Sequence, residues 1–152
     1  MVGNGSYAFN INYNVDPPMA LTLQSDNTVA LSLFVTSDDN NTWIVTQVVG
    51  ETVMGIAFVT TTGMALNATG PDTSPLNAIP LPAPGTTDSV IWIPKYSSNS
   101  DNWAILWADP QSGWPPDQTI DLYHGDYQAG VVGTYGYNGN GNQCWEFNST
   151  NG

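Results

Sequence analysis

The stretches Asn41-Thr42-Trp43-Ile44, Val90-Ile91-Trp92-Ile93 and Gln143-Cys144-Trp145-Glu146-Phe147 place a tryptophan in similar company three times along the chain. The three tryptophans stand about 50 residues apart, and each one closes a block of short apolar runs separated by turns. Such a period predicts that one supersecondary unit is used three times. The blocks must share one core, because four short strands cannot bury an apolar face alone.

Apolar and polar residues alternate within the runs, as in Leu21-Thr22-Leu23, and this alternation predicts half-buried strands. We predict strands at 7–11, 19–23, 29–35 and 42–48 in the first block (5–48), at 55–60, 64–68, 76–81 and 90–94 in the second block (50–97), and at 103–107, 119–123, 131–137 and 143–147 in the third block (102–148). No linker separates the blocks. Residues 1–152 are therefore predicted to form a single all-β domain.

The charge balance limits the partners. Thirteen acidic residues face one basic residue, for a formal net charge of −12. This charge repels phosphate backbones, so nucleic acids and anionic membranes are poor partners. No apolar run is long enough to insert into a membrane.

The chain offers few residues for metal binding or covalent chemistry. It has one histidine, His124, and one cysteine, Cys144, which cannot make a zinc site together, and it has no Asp-x-Asp-x-Asp calcium loop. We expect no metal and no cofactor, and we expect Cys144 to be a buried, inert thiol. The N-terminus shows no export signal, which predicts a cytoplasmic protein, with release by an unconventional route left open.

Two segments of the third block carry a family resemblance. Ile120-Asp121-Leu122, followed by Asn142-Gln143-Cys144-Trp145, resembles the repeat of ricin-B-type lectins, which has a Leu-Asp-Leu-like strand and closes with Gln-x-Trp. The segment Gly63-Met64-Ala65-Leu66-Asn67 resembles the same strand in the second block. The resemblance implies a β-trefoil of twelve strands in three pseudo-repeats. The Asn-, Asp- and Gly-rich loops resemble those of fungal fruiting-body lectins, which implies a role in defence.

Strand alternation predicts a ligand site in the third block. Ile120 and Leu122 share the core face, so Asp121 is expected to point to solvent. Gly133 and Tyr135 share the outer face of the next strand, with open floor expected at Gly133. A carboxylate and a primary amide can bond sugar hydroxyls, while an aromatic ring covers the apolar face of a pyranose.

The resemblance implies galactose-binding roles for Asp121, Tyr135, Asn142 and Gln143, with Gly133 in place of a polar residue that the family often has. We therefore expect a lectin for galactose- or N-acetylgalactosamine-type glycans, without catalysis, and a homodimer where multivalent binding is needed. His124 and Asp126 lie close enough in sequence to reach the same ligand. Trp114 lies in a long loop, where it either extends the site to a second sugar or folds over the end of the barrel. The alternative is that Asp121 caps a turn, that Tyr135 is an ordinary surface residue and that His124 is solvated.

The other two blocks do not repeat this set. The position of Asp121 reads Thr22 in the first block and Asn67 in the second, and counting back from the tryptophan puts Leu33 and Pro82 at the position of Tyr135. We predict one competent site, in the third block.

Two other functions remain open. The Pro-rich stretches 75–85 and 113–117 have the rigidity of inhibitory loops in β-trefoil protease inhibitors, and the absence of Lys and Arg there points to cysteine or aspartic proteases. Asp121 and Asp126 offer two carboxylates for glycoside hydrolysis, which is the least supported reading.

Overall fold

The computed structural model describes residues 8–34, 39–97, 102–110 and 116–149. These residues contain twelve strands and three short 3₁₀ turns. The strands are β1 Ala8–Tyr13, β2 Met19–Leu23, β3 Val29–Leu33, β4 Trp43–Val49, β5 Met54–Val59, β6 Met64–Ala68, β7 Leu76–Pro80, β8 Trp92–Ser97, β9 Asn102–Trp107, β10 Gln118–Leu122, β11 Val132–Gly136 and β12 Glu146–Ser149. The 3₁₀ turns are Asp39–Asn41, Tyr123–Gly125 and Gly141–Gln143.

Six strands form a closed ring. β1 pairs with β4, β4 with β5, β5 with β8 and β8 with β9, always antiparallel. The ring closes through the bridge between Trp103 and Trp145 and through the pairing of β12 with β1. Closure leaves no exposed edge in these six strands. The expected all-β, threefold architecture is confirmed.

The other six strands form three hairpins, β2–β3, β6–β7 and β10–β11. Each hairpin is attached to the ring through its first strand, which pairs with β1, β5 or β9 respectively. Every block thus has the same plan of ring strand, hairpin and ring strand. The third hairpin, β10–β11, carries the predicted site.

The repeated tryptophan has the same structural role in every block. Trp43, Trp92 and Trp145 are fully buried in one apolar core cluster. Each indole Nε1–H donates to a main-chain carbonyl of its own hairpin, that of Leu21, Leu66 and Ile120 respectively, at 3.1 Å each time. A buried indole needs such a partner, so the bond attaches each hairpin to the core and explains the period.

Two strands begin later than predicted, because turns occupy their predicted first residues. β8 begins at Trp92 and not at residue 90, since the Ile91 N–H bonds the Asp88 carbonyl in a turn. β12 begins at Glu146 because Gly141–Gln143 forms a 3₁₀ turn. β3 ends at Leu33, and residue 35 lies outside the described residues.

None of the helices in the described residues combines the length and the apolar character that crossing a membrane requires.

Cys144 is partly exposed, with its Sγ–H donating to the Asn140 carbonyl at 3.5 Å, so the expectation of a buried thiol is wrong. The thiol lies at the end of the 3₁₀ turn and not within β12.

Candidate functional site

A cleft lies at the outer side of the third hairpin, where three chain segments meet. It has a volume of about 350 Å³, within the range of ligand pockets in proteins. We call it the Tyr135 cleft. Its lining consists of Thr73, Asp121, Tyr123, His124, Tyr135, Asn138 and Asn142. The structure therefore brings together four of the predicted site residues: Asp121, His124, Tyr135 and Asn142.

Asp121 lies at the base of the cleft. It points away from the core, as the alternation of β10 predicts, but only 4% of its surface is exposed. The expectation that Asp121 faces open solvent is wrong, because the turn Gly141–Gln143 covers it. The carboxylate is thus a partly shielded acceptor.

Two amides hold the Asp121 carboxylate. Gln143 Nε2 donates to Oδ2 at 2.9 Å and Asn142 Nδ2 donates to Oδ1 at 3.0 Å. Each carboxylate oxygen can accept about two hydrogen bonds, so each keeps capacity for a ligand hydroxyl. The pair of amides fixes the direction in which that remaining capacity points.

Gln143 is fully buried and does not line the cleft. Besides Asp121, its Nε2 donates to the Gly136 carbonyl at 2.8 Å, and its Oε1 accepts the Asn138 N–H at 2.9 Å. Its polar groups are therefore used within the protein. The predicted direct contact of Gln143 with a ligand is replaced by a role in positioning Asp121.

Asn142 lines the cleft, but both of its amide protons are used. They go to Asp121 Oδ1 and to the Leu122 carbonyl, at 3.0 and 3.1 Å. The expectation that this amide donates to a sugar hydroxyl is wrong, because a primary amide has only two N–H donors. Its carbonyl oxygen is the group that it can offer to a ligand.

The environment of the cleft shifts the pKa of two acid groups. Burial raises the pKa of Asp121 above its ordinary value of 3.8, against the opposing effect of the bonds from Gln143 and Asn142 and of the nearby His124. Burial, helped by the negative charges of Asp121 and Asp72, raises the pKa of Tyr123 to about 12. Tyr123 thus stays a neutral phenol at physiological pH.

Tyr135 keeps an exposed ring beside Asp121. It is 45% exposed and lines the cleft from β11. Gly133, two residues earlier, is buried and does not line the cleft. A Cβ at Gly133 would overlap the Tyr123 hydroxyl and the Ser74 carbonyl oxygen. The predicted open floor at Gly133 is therefore wrong, because Tyr123 lies across this glycine.

Of the remaining residues predicted for the site, one lines the cleft and one does not, and a third is outside the described residues. His124 is exposed, has a φ of 59° and lines the cleft. Asp126 does not line it, and its Oδ1 instead accepts the Gln128 and Ala129 N–H groups at 3.1 Å each, as a turn cap. Trp114 lies outside the described residues.

Three lining residues were missed by the sequence analysis. Tyr123 could have been found, because it follows Asp121 at a spacing that keeps a strand residue on the same face. Asn138 lies in the turn that leads to Asn142. Thr73 gave no signal at all, because it comes from the second block and reaches the cleft only through tertiary packing.

The hairpin registers align the three blocks independently of loop length. Asp121 and Thr119 pair with Gly133 and Tyr135, Thr22 and Ala20 with Ala30 and Ser32, and Asn67 and Ala65 with Asn77 and Ile79. The equivalents of Tyr135 are therefore Ser32 and Ile79, and the predicted Leu33 and Pro82 are wrong. Counting back from the tryptophan fails because the loops differ in length. At these positions neither of the other blocks combines an aromatic ring with a carboxylate.

The Pro-rich stretches offer less free loop than the sequence suggests. Leu76–Pro80 forms β7 and pairs with β6, which leaves residues 81–85 as loop. Residues 113–115 of the second stretch lie outside the described residues. Protease inhibition stays a prediction. Within the described residues, no group of three His, Cys, Asp or Glu side chains could hold a metal ion.

The sequence itself gives no relative: no protein-family model matches the chain, and no curated protein matches it. Among solved structures, the fold is similar to that of the Macrolepiota procera ricin B-like lectin in complex with lactose, with a TM-score of 0.71 and 17% identity over 97% of this chain and 98% of that chain. It is also similar to the Polyporus squamosus lectin bound to the epitope Neu5Aca2-6Galb1-4GlcNAc, with a TM-score of 0.69 and 18% identity.

The chain covers 50% of the Polyporus squamosus lectin chain, so the two are comparable over half of that protein's length. A designed 3-fold symmetric protein, ThreeFoil, matches over 92% of this chain and 96% of its own, with a TM-score of 0.66 and 16% identity. Likeness at these identities establishes architecture and leaves activity to the site. The chain has the β-trefoil fold, and its structural neighbours include ricin B-like lectins.

Proposed function

We propose that the chain is a lectin that binds galactose- or N-acetylgalactosamine-type glycans in the Tyr135 cleft, without changing them chemically. The observation that carries the proposal is the meeting of a shielded, oriented carboxylate and a half-exposed phenol ring in one cleft. The lactose complex of the Macrolepiota procera lectin, which has the same fold, supports the choice of sugar class.

The hydrogen-bonding groups of the cleft suit a neutral polyol. Asp121 and Asn142 offer acceptors, so a ligand must bring hydroxyl donors to the base of the cleft. Donors to the sugar come from side chains such as His124 and from the Asn138 amide nitrogen, since Asn138 Oδ1 already accepts the Asn140 N–H. Tyr135 then covers the apolar C–H face of the ring.

The cleft determines the expected affinity, and the net charge determines which glycans are disfavoured. A shallow single cleft with a few polar contacts should bind with about −4 to −6 kcal/mol, which corresponds to millimolar to high-micromolar affinity. The formal net charge of −12 disfavours anionic glycans. Agglutination would require several sites on one particle, for which a homodimer presenting two clefts is the simplest arrangement.

Calorimetric titration with lactose and N-acetylgalactosamine tests the proposal. We expect the wild-type chain to bind and Asp121→Asn to lose binding, because an amide at this position meets the donors of Gln143 and Asn142. Asp117→Asn is the matched control: it removes the same charge from an exposed residue that does not line the cleft. The proposal fails if the wild type binds no neutral glycan, or if Asp121→Asn binds as well as Asp117→Asn.

A further inference from the structure

Thr73 belongs to the second block but lines the Tyr135 cleft of the third block. It lies in a loop, Gly70 to Ser74, that packs against β11. The Thr73 N–H donates to the Thr134 carbonyl at 2.8 Å, and the Thr134 N–H donates to the Ser74 carbonyl at 3.0 Å. Thr134 Oγ1 also donates to the Gly70 carbonyl at 2.6 Å. The loop is thus held in place by hydrogen bonds that do not involve the Thr73 side chain.

A second set of bonds ties the same loop to β10. The Asp72 N–H donates to Gln118 Oε1 at 2.9 Å, and Gln118 Nε2 donates back to Asp72 Oδ1 at 2.8 Å. Gln118 is buried. The loop therefore presents Thr73 to the cleft from a fixed backbone.

The backbone of Thr73 is unfavourable for its side chain. Its φ is 62°, in the left-handed region that glycine adopts readily and that is a genuine outlier for a β-branched residue. Residues kept in such conformations by their surroundings cluster at ligand sites. Glycine would adopt this backbone without strain, so a Thr side chain at this position carries a conformational cost.

The contacts of the Thr73 side chain leave a ligand role open. Its Oγ1–H donates to the neighbouring Asp72 carbonyl at 2.6 Å, and the residue is exposed. With its proton used, the hydroxyl can only accept. Thr73 is an exposed residue of the cleft lining, and its side chain carries an acceptor oxygen and a methyl group that a ligand in the cleft can contact.

We propose that Thr73 is a specificity-determining residue that recognises the acetamido group of an N-acetylated sugar in the Tyr135 cleft. An acetamido group replaces one hydroxyl of the sugar by an N–H donor, a carbonyl oxygen and a methyl group, and its N–H and methyl match the acceptor and the methyl of Thr73. The hydroxyl that replaces it in galactose has no methyl. This inference rests on the proposed function, because it concerns a second contact of the same ligand.

Calorimetric titration with N-acetylgalactosamine and with galactose tests the inference in Thr73→Gly and Thr73→Ser. We expect the wild type to prefer the acetamido sugar by about tenfold, the lower end of what one methyl-sized contact contributes to discrimination. Thr73→Gly should bring the two affinities together. Thr73→Ser should do the same, because it lacks the methyl group and keeps only the acceptor, to which an acetamido N–H and a galactose hydroxyl can both donate. Thermal unfolding should show that Thr73→Gly is as stable as the wild type or more so, since it relieves the backbone.

Asn27→Gly is the matched control, because Asn27 has a φ of 67° in the turn between β2 and β3 and does not line the cleft. Its affinity ratio should equal that of the wild type. If Thr73→Gly keeps the wild-type preference while both sugars still bind, the inference is wrong and the proposed function stands. If the wild type binds neither sugar, both are wrong.

Discussion

At the scale of single residues, the orientation of the Asp121 carboxylate is determined by hydrogen bonds from neighbouring amides. Alternation along β10 turns Asp121 away from the core, but the two oxygens are aimed by the amides of Gln143 and Asn142. The side chain of Gln143 is buried and makes three hydrogen bonds within the protein. Gln143 thus positions the Asp121 carboxylate.

The raised pKa of Asp121 predicts a pH dependence for the proposed sugar binding. A ligand that donates to the carboxylate favours its ionised form, so affinity is expected to fall as the pH drops through the raised pKa, above the ordinary value of 3.8. Titration with lactose from about pH 7 to about pH 3 measures the midpoint. A His124→Gln variant removes the histidine that lines the cleft, so that a fall that persists belongs to Asp121. A midpoint at or below 3.8 contradicts the prediction.

The glycine at position 133 is required by Tyr123. Gly133→Ala should destabilise the fold by about 1–3 kcal/mol, because the new methyl group overlaps the Tyr123 hydroxyl and the Ser74 carbonyl oxygen. Gly136→Ala, on the same strand, is the control, since nothing lies within 4 Å of a Cβ there. Chemical denaturation compares the two variants. Equal stability of both would show that Tyr123 does not lie across Gly133.

At the scale of elements, the loop between β4 and β5 depends on one carboxylate from another part of the chain. Asp88 is buried and accepts the Thr52 N–H at 3.0 Å, the Thr52 hydroxyl at 2.5 Å and the Val53 N–H at 3.3 Å. Burial tends to raise the pKa of Asp88, but these hydrogen bonds outweigh it and the pKa is lowered. The ionised carboxylate is therefore the form that stabilises this loop.

Asp88→Ala should cost about 2–3 kcal/mol, because it leaves the donors of Thr52 and Val53 without their charged acceptor. Since the folded pKa is lowered, this stability is present above the pKa of the unfolded chain and is lost as the pH falls through the folded value. Urea denaturation at neutral and acid pH should therefore show a difference between wild type and variant that shrinks at acid pH. A difference that stays constant down to acid pH contradicts this account.

The third hairpin differs from the other two in the side chain at the position of Asp121. The three hairpins share a register, yet the position of Asp121 is held by Thr22 in the first, whose hydroxyl donates to the Ala20 carbonyl at 2.9 Å. In the second it is Asn67, whose Nδ2 donates to Asn77 at 2.8 Å. The same backbone thus supports different side-chain chemistry, which is why fold alone does not assign function.

At the scale of the whole molecule, the three buried tryptophans should contribute alike to stability but differently to the proposed sugar binding. Trp43→Phe, Trp92→Phe and Trp145→Phe should each cost about 2–3 kcal/mol, since each removes core volume and the bond to a hairpin carbonyl. Chemical denaturation measures these losses.

Sugar binding should separate the three variants. Only Trp145→Phe is expected to weaken binding as well, because Trp145 bonds Ile120, the neighbour of Asp121, and follows Gln143 closely in the chain. Titration under conditions where all three variants are folded checks this. An equal loss of sugar affinity in Trp43→Phe would mean that sugar binding depends on the first block as well.

The sequence by itself determined the strands, their faces and the repeat. The spacing of Trp43, Trp92 and Trp145 and the alternation of apolar residues predicted three similar all-β blocks around one core, because these signals come from near neighbours in the chain and from a period that the core imposes. The resemblance to the ricin-B-type repeat then implied the β-trefoil. The same signals placed Asp121 and Tyr135 on outer faces of β10 and β11.

Only the tertiary structure decided what those side chains can do. It showed that Asn142 has used its donors, that Tyr123 lies across Gly133 and that Thr73 arrives from another block. Whether a donor is still available depends on every partner within about 3 Å, and those partners come from distant parts of the chain. A linear pattern gives the direction of a side chain from its strand, whereas its remaining hydrogen-bonding capacity is a property of the packed molecule.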